Sequence, residues 1–235
     1  MMRVGNEEYA RTNNSFGLTT LRTKHVKVKG GHLTFDFRGK HGVQHHIDLA
    51  DRRLAKVVER CRDLPGQDLF QFLDQDGETH HIVSDDVNEY LKEVSGEEIT
   101  AKDFRTWAAT NLAALALRDM ELFDTLAKAK KHLVQVVEHV AQNLSNTPAI
   151  CCKCYIHPAV FEGYLDGSLL ECLKARADEV LAEDGGLTPD EVAVTAFLSL
   201  RLEAAIEAPA NKVVTTPKRG KAAVTAEGCR PLTGA

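Results

Sequence analysis

Two segments between residues 33 and 49 alternate in polarity, and beyond residue 50 the period lengthens. Leu33-Thr-Phe-Asp-Phe-Arg38 places apolar side chains at every second position, and Val43-Gln-His-His-Ile-Asp-Leu49 repeats the pattern. Gly39-Lys40-His41-Gly42 lies between them. Alternation on both sides of a glycine-flanked connector predicts a β-hairpin with Lys40 at its tip. Leu18 to Val28 is expected to supply another short strand. On pattern alone, a tip lysine reads first as a solvated charge that discourages edge pairing.

Beyond residue 50 the spacing becomes helical. Asp51 to Arg62 predicts one helix, ended by Pro65-Gly66. Leu69-Phe70-Gln-Phe72-Leu73 follows, and Asp74-Gln-Asp-Gly77 reads as a turn that lacks the later ligands of a calcium loop. Ser84 is placed to cap a helix to about Val94, closed by Ser95-Gly96. Thr100-Ala-Lys-Asp103 resembles a capping box with Asp at its last position. The helix it opens runs to about Leu117, with Phe104, Trp107, Ala108, Leu112 and Leu115 as its expected buried stripe. That assignment leaves Lys102 and Arg105 together on a face turned away from the core. A long helix is expected over about Glu121 to Asn143. Thr147-Pro148 then reads as an N-cap with proline at the first helical position of a short helix. This helix is expected to carry Lys153 and Tyr155 and to stop near His157-Pro158. Helices at about 160–166, 168–183 and 189–206 complete a mainly α chain with a small β-hairpin or sheet, an α+β class.

Composition changes this picture little, but charge distribution matters. The net charge is −5, which at first argues against a nucleic-acid binder. Residues 1–56, however, carry 11 Lys+Arg against 5 Asp+Glu, and residues 211–235 carry 5 against 1. Basic charge is therefore concentrated where a phosphate backbone could use it. From Ala208 the chain is rich in Lys, Thr, Ala, Gly and Pro, so 207–235 is expected to be a basic, disordered tail. The N-terminus does not read as a signal peptide, and no apolar run reaches the roughly 18–20 residues of a membrane span. The expectation is a cytoplasmic protein. Six cysteines include the run Cys151-Cys152-Lys153-Cys154. Zinc sites usually need two separated pairs, so no metal is expected.

The candidate chemistry lies in Asn146-Thr-Pro-Ala-Ile-Cys-Cys-Lys-Cys-Tyr-Ile-His-Pro158. Taken alone, Tyr155 would be read as a structural tyrosine. It stands, however, with Arg3-Val-Gly-Asn-Glu-Glu-Tyr-Ala10, Phe37-Arg-Gly-Lys40, Asp63-Leu-Pro-Gly-Gln67 and Thr100-Ala-Lys-Asp-Phe-Arg-Thr-Trp107. These motifs, in this order, resemble the catalytic domain of type IB DNA topoisomerases, particularly the bacterial and poxvirus-like branch. The resemblance covers about residues 1–206 and implies the fold shared by tyrosine recombinases and these topoisomerases. Within that domain the β-hairpin region is about 18–49 and the helical body about 51–206.

The resemblance implies roles for particular residues. Tyr155 matches the nucleophile. Arg3 and Arg105 match arginines that clamp the scissile phosphate, and Lys40 matches the hairpin lysine that protonates the leaving oxygen. Asn146 matches a phosphate-contacting position that is His in some members and Asn in bacterial ones. Lys102 matches a supporting basic residue; Tyr9, Lys27, Arg38 and Lys153 are further expected DNA contacts. The residue types suit the reaction. A phenol is only about 0.1% ionised at pH 7, so attack needs a positive field or a proton acceptor. Arginine stays charged and binds two oxygens at once. The expected partner is duplex DNA, relaxed by a monomer without ATP, metal or other cofactor, at the bacterial nucleoid.

Departures from the family pattern shape the alternatives. Position 152 is often basic and 154 often Ser in the family, so Cys152 is expected to remove a backbone contact and Cys154 to be oxidisable. Family members carry a separate DNA-binding domain ahead of the Arg-Val-Gly motif, which here starts two residues into the chain. Arg3 is therefore expected at a fraying terminus, with weak, salt-sensitive DNA binding and impaired relaxation. A tyrosine site-specific recombinase is the alternative enzyme; recombinases usually present His-x-x-Arg where this chain has Lys102-Asp-Phe-Arg105. A truncated DNA-binding remnant with little activity is the alternative from another class.

Overall fold

The computed structural model describes residues 1–177 and 186–207. They form two compact units, Met1–Asp103 and a second beginning at Phe104. Residues 208–235 of the expected tail and the end of the helix expected over 168–183 lie outside the described residues; Glu207 is instead the last residue of a helix.

The first unit opens with α1, Glu7–Asn13, whose Asn6 cap accepts from the Tyr9 amide. Two single-turn 3-10 segments, Leu18–Thr20 and Thr23–His25, precede β1, Val26–Lys29. The strand expected from Leu18 is thus confined to its last residues. β2, His32–Arg38, and β3, Gln44–Ala50, form the expected hairpin, and the sheet order is β1-β2-β3, all antiparallel. Leu33, Phe35 and Phe37 alternate inward and pack with Leu21, Val58 and Leu69. Apolar burial on one sheet face is what holds this register, since a one-residue slip would turn all three to solvent.

α2, Arg52–Arg62, starts where expected, with the Asp51 carboxylate accepting from the amides of Arg53 and Leu54. β4, Gln71–Leu73, pairs with β5, Thr79–His81, around the Asp74–Gly77 turn. The short β5 has no period to read, and its partner rather than its sequence defines it. α3, Ser84–Ser95, begins one residue earlier than expected: Ser84 is its first residue, and the Asp86 carboxylate accepts from the Val83 amide in place of a Ser84 cap. Gly96 closes it in the left-handed region.

α4, Ala101–Arg118, spans the boundary between the units. Its capping carboxylate is Asp103, which accepts from both the amide and the hydroxyl of Thr100 at 2.9 and 2.6 Å. The buried stripe is not the one expected. Arg105, Ala109, Ala113, Ala114 and Leu117 face inward, while Phe104 is 50% exposed. The helix is apolar or small nearly all round, so periodicity did not single out a face. The alanines face the core because tertiary packing, not periodicity, decides which side of this helix is covered.

α5, Leu126–Leu144, begins five residues later than expected, at the Thr125 cap. α6, Pro148–Cys154, α7, Pro158–Asp166, α8, Ser168–Ala177, and α9, Pro189–Glu207, complete the described unit. Its core joins Leu117, Val136, Val140, Cys151, Val160, Leu169 and Phe197. Tyr164, fully buried, is hydrogen-bonded to His132 at 2.7 Å. Arg118 of α4 pairs with Asp190 of α9 at 2.6 Å. No helix among the described residues is long and apolar enough to cross a membrane.

Candidate active site

In the helical unit, the chain around Tyr155 is shaped locally first. Thr147 caps α6 through its hydroxyl, which accepts from the Ile150 amide, and Pro148 occupies the first turn, where no amide donor is needed. α6 ends at Cys154, so Tyr155 is its cap rather than a helical residue, with φ −129° and ψ −30°. The amides of Tyr155 and Ile156 both donate to the Cys151 carbonyl, at 3.1 and 3.2 Å. Pro158 blocks helix continuation and restricts His157 to extended backbone. His157 then caps α7 by accepting from the Ala159 amide at 3.2 Å. Ile156 is buried and Tyr155 half-buried, so the ring stands at the edge of the core.

Arg105 is 6% exposed, which corrects its expected position on a solvent face. Its Nη2 donates to the Leu144 carbonyl at 2.7 Å, and its Cζ lies 5.5 Å from the centre of the Tyr155 ring. The burial has a physical reason. Leu144 is the last residue of α5, whose final carbonyls have no partner within the helix, and the guanidinium supplies one. Burial pushes the Cys151 thiol pKa up, and the nearby charge of Arg105 opposes that shift. A permanent positive charge thus sits against both the phenol ring and the base of its helix.

Asn146 lies half-buried in the turn between α5 and α6, its amide donating to the Ala141 carbonyl at 2.9 Å. The turn is made by Ser145, which takes the left-handed conformation at φ 51°. Leu144 and Asn146 therefore bracket the residue that reverses the chain, which sets Asn146 two positions from the carbonyl bound by Arg105. Lys153 is exposed on α6. Cys151 is fully buried, Cys152 half-buried and Cys154 exposed. Thr110 of α4 was not singled out by its sequence context. Its hydroxyl donates to the Tyr155 carbonyl at 3.3 Å and accepts from the His157 amide at 3.2 Å. α4 also carries Thr106, so neither composition nor period marks Thr110, and only its contacts do.

In the first unit, Arg3 is held rather than frayed. Its carbonyl accepts from the Leu18 amide at 2.8 Å, and the Val4 carbonyl accepts from the Thr19 amide at 2.7 Å. The two backbones cross where both residues are glycine: a Cβ on Gly17 would lie 2.6 Å from Gly5 Cα. Gly5 itself has φ +121°. That close approach explains the glycine of the Arg-Val-Gly motif.

Lys40 stands at the β2–β3 tip, as expected, within the short turn Lys40–Gly42. It is half-buried, and its Nζ lies 5.2 Å from the centre of the Tyr9 ring. Tyr9 thus supports Lys40 directly. Arg38 is exposed at the end of β2, with its guanidinium against Gly42. Lys27 is exposed on the edge strand β1, opposite Thr34. Lys102 is exposed one turn before Arg105 and beside Asp103. The Asp103 carboxyl is held below the usual carboxylate range by the Thr100 hydroxyl and amide, with Lys102 contributing.

Comparison with known proteins agrees with the motifs. Residues 1–176 match the family described as the eukaryotic DNA topoisomerase I catalytic core. The chain is 32% identical over 207 residues to the DNA topoisomerase 1B of Acanthamoeba polyphaga mimivirus, covering 77% of this chain and 60% of the relative. It is 24% identical over 184 residues to the DNA topoisomerase 1B of vaccinia virus (strain Copenhagen), covering 77% of this chain and 55% of that protein. The DNA topoisomerase I of monkeypox virus matches over the same shares. The chain thus spans little more than half the length of the curated relatives it matches.

Proposed function

The chain belongs to the family of the eukaryotic DNA topoisomerase I catalytic core, and from that membership we propose that it relaxes supercoiled duplex DNA by type IB chemistry. The phenolic oxygen of Tyr155 gives up its proton to solvent water and attacks a backbone phosphorus. A phosphotyrosyl bond forms at the 3′ side and the bond to the 5′ oxygen breaks. Lys40 gives its proton to that leaving oxygen. Religation runs the same steps backwards, with the 5′ hydroxyl attacking and the tyrosine leaving. One covalent bond replaces another of similar energy, so the cycle needs neither ATP nor a metal. While the strand is open, the free end swivels and torsion is released.

The observation that carries this reading is the buried Arg105 guanidinium beside the Tyr155 ring. A fixed cation at that place favours the negative charge that builds on the phosphoryl oxygens in the transition state. Arg3 and Asn146 are assigned to the same phosphate, and Lys102, Arg38, Tyr9, Lys153 and Lys27 to the DNA around it. The support for these roles is the match of each position to the family motifs. A monomer acting on duplex DNA in the bacterial cytoplasm, at the nucleoid, belongs to the same proposal. The monomer rests on one active site sufficing for one nick, and the bacterial setting on the asparagine at position 146, which matches bacterial members; the relatives above are viral.

The test is covalent trapping. A duplex whose cleaved 5′ fragment dissociates should leave the chain attached to the 3′ end, and Tyr155→Phe should abolish the adduct. Relaxation of plasmid without a specific site pair should accompany it. Adduct without relaxation would favour a recombinase, and DNA binding with no adduct would leave only a DNA-binding remnant.

A further inference from the structure

We infer that Thr110 is a positioning residue for the Tyr155 nucleophile, an inference that rests on the function proposed above. Tyr155 follows a seven-residue helix and has already left helical dihedral angles. A residue in that place depends on contacts from elsewhere to hold its orientation. Thr110 supplies them. Its one hydroxyl donates to the carbonyl of Tyr155 and accepts from the amide of His157, at 3.3 and 3.2 Å. A hydroxyl can do both at once. It therefore staples the backbone on either side of Ile156, itself buried at 3% exposure.

Two further facts make this more than a buried hydrogen bond. Thr110 is 2% exposed, so water cannot substitute for the hydroxyl, nor can DNA reach it. It also lies on α4, the helix that carries Arg105. Arg105 meets the Tyr155 ring and Thr110 meets the Tyr155 backbone. One helix thus fixes Tyr155 relative to the Arg105 charge. Thr110 touches neither substrate nor the reacting atoms; it acts through the position of Tyr155. Reacting groups must be held within about 0.5 Å of productive geometry, and a misplacement of about 1 Å can cost roughly 100-fold.

The test compares Thr110→Val, which keeps the shape and removes the hydroxyl, with Thr110→Ser, which keeps the hydroxyl. In single-turnover reactions of the full chain with a suicide duplex, the valine variant should form adduct about 100-fold more slowly. Religation should slow with it, because Tyr155 attacks in one direction and leaves in the other. Non-covalent DNA affinity should not change. A 5′-thiolate leaving group, which needs no proton, should not restore the rate, whereas it would restore a lost acid. Serine should return the rate toward wild type. A purely structural role would lower the melting temperature and leave rates in the cold untouched. Adduct formation by the valine variant at the wild-type rate overturns the inference. If wild type itself forms no adduct, the proposed function fails, and amide exchange then judges the staple separately. The His157 amide should be protected in wild type and exchange faster in the valine variant. An unprotected His157 amide in wild type, or no change in the variant, overturns it.

Discussion

Arg105→Ala removes a buried cation that holds a carbonyl in the structure and, under the proposed function, serves the chemical step. The Leu144 carbonyl loses a charged donor at 2.7 Å in a place where Arg105 is 6% exposed. A hydrogen bond to a charged group is worth about 1.5–3 kcal/mol. The ring contact at 5.5 Å from Tyr155 adds about 0.5–2 kcal/mol. Releasing a buried charge from its desolvation cost offsets part of this. The net expectation is a loss of about 2 kcal/mol in stability. Under the proposed function the chemical step loses more, because a cation in that place meets the developing phosphoryl charge, and removing one such donor typically costs about 100- to 1,000-fold in rate. Arg105→Lys should fall between. It keeps the charge, but an ammonium lacks the planar fork that lets one side chain hold a carbonyl and an anion together. Urea unfolding followed by helicity measures the first effect. The rate of covalent adduct formation on a suicide duplex, well below the melting temperature, measures the second. An unchanged urea midpoint would refute the structural half, and an adduct rate equal to wild type would refute the catalytic half.

Two other predictions concern packing and charge. Gly163→Ala in α7 would put a Cβ 2.4 Å from Cζ of Phe197, a ring that is 1% exposed and cannot swing away; overpacking of about 1–3 kcal/mol should outweigh the helix-propensity gain of about 1 kcal/mol, and a raised melting temperature would contradict this. On the outer face of the sheet, His46 lies 2.5 Å from Asp36 and 3.0 Å from Asp48. Its pKa is raised, first by the hydrogen bond to Asp36 and then by the Asp48 charge. The stability this adds is fully present below the unfolded histidine value and is lost as pH rises through the raised one. An NMR titration of His46 should show a midpoint above that of a free histidine, and a midpoint at or below it would refute the pairing.

Elements whose signals are local stood in the sequence. The β2–β3 hairpin needed only alternation and a glycine-flanked turn. The Asp51 and Thr147 caps needed only a side chain within three residues of the amides they accept from. Five motifs in order were enough to indicate the family, because they are read one position at a time. The buried face of α4 was a different matter. Small and apolar residues occur on several sides of that helix, and only close packing against its neighbours turned Ala109, Ala113 and Arg105 inward and left Phe104 outside. The sequence by itself determined the family, through ordered motifs that include Tyr155, Arg105 and Lys40. Tertiary structure decided that Arg105 is buried against the end of α5, that Tyr9 lies by Lys40, and that Thr110 holds the Tyr155 backbone. These contacts join residues far apart in the chain, and such contacts leave no periodic trace in the order of the amino acids.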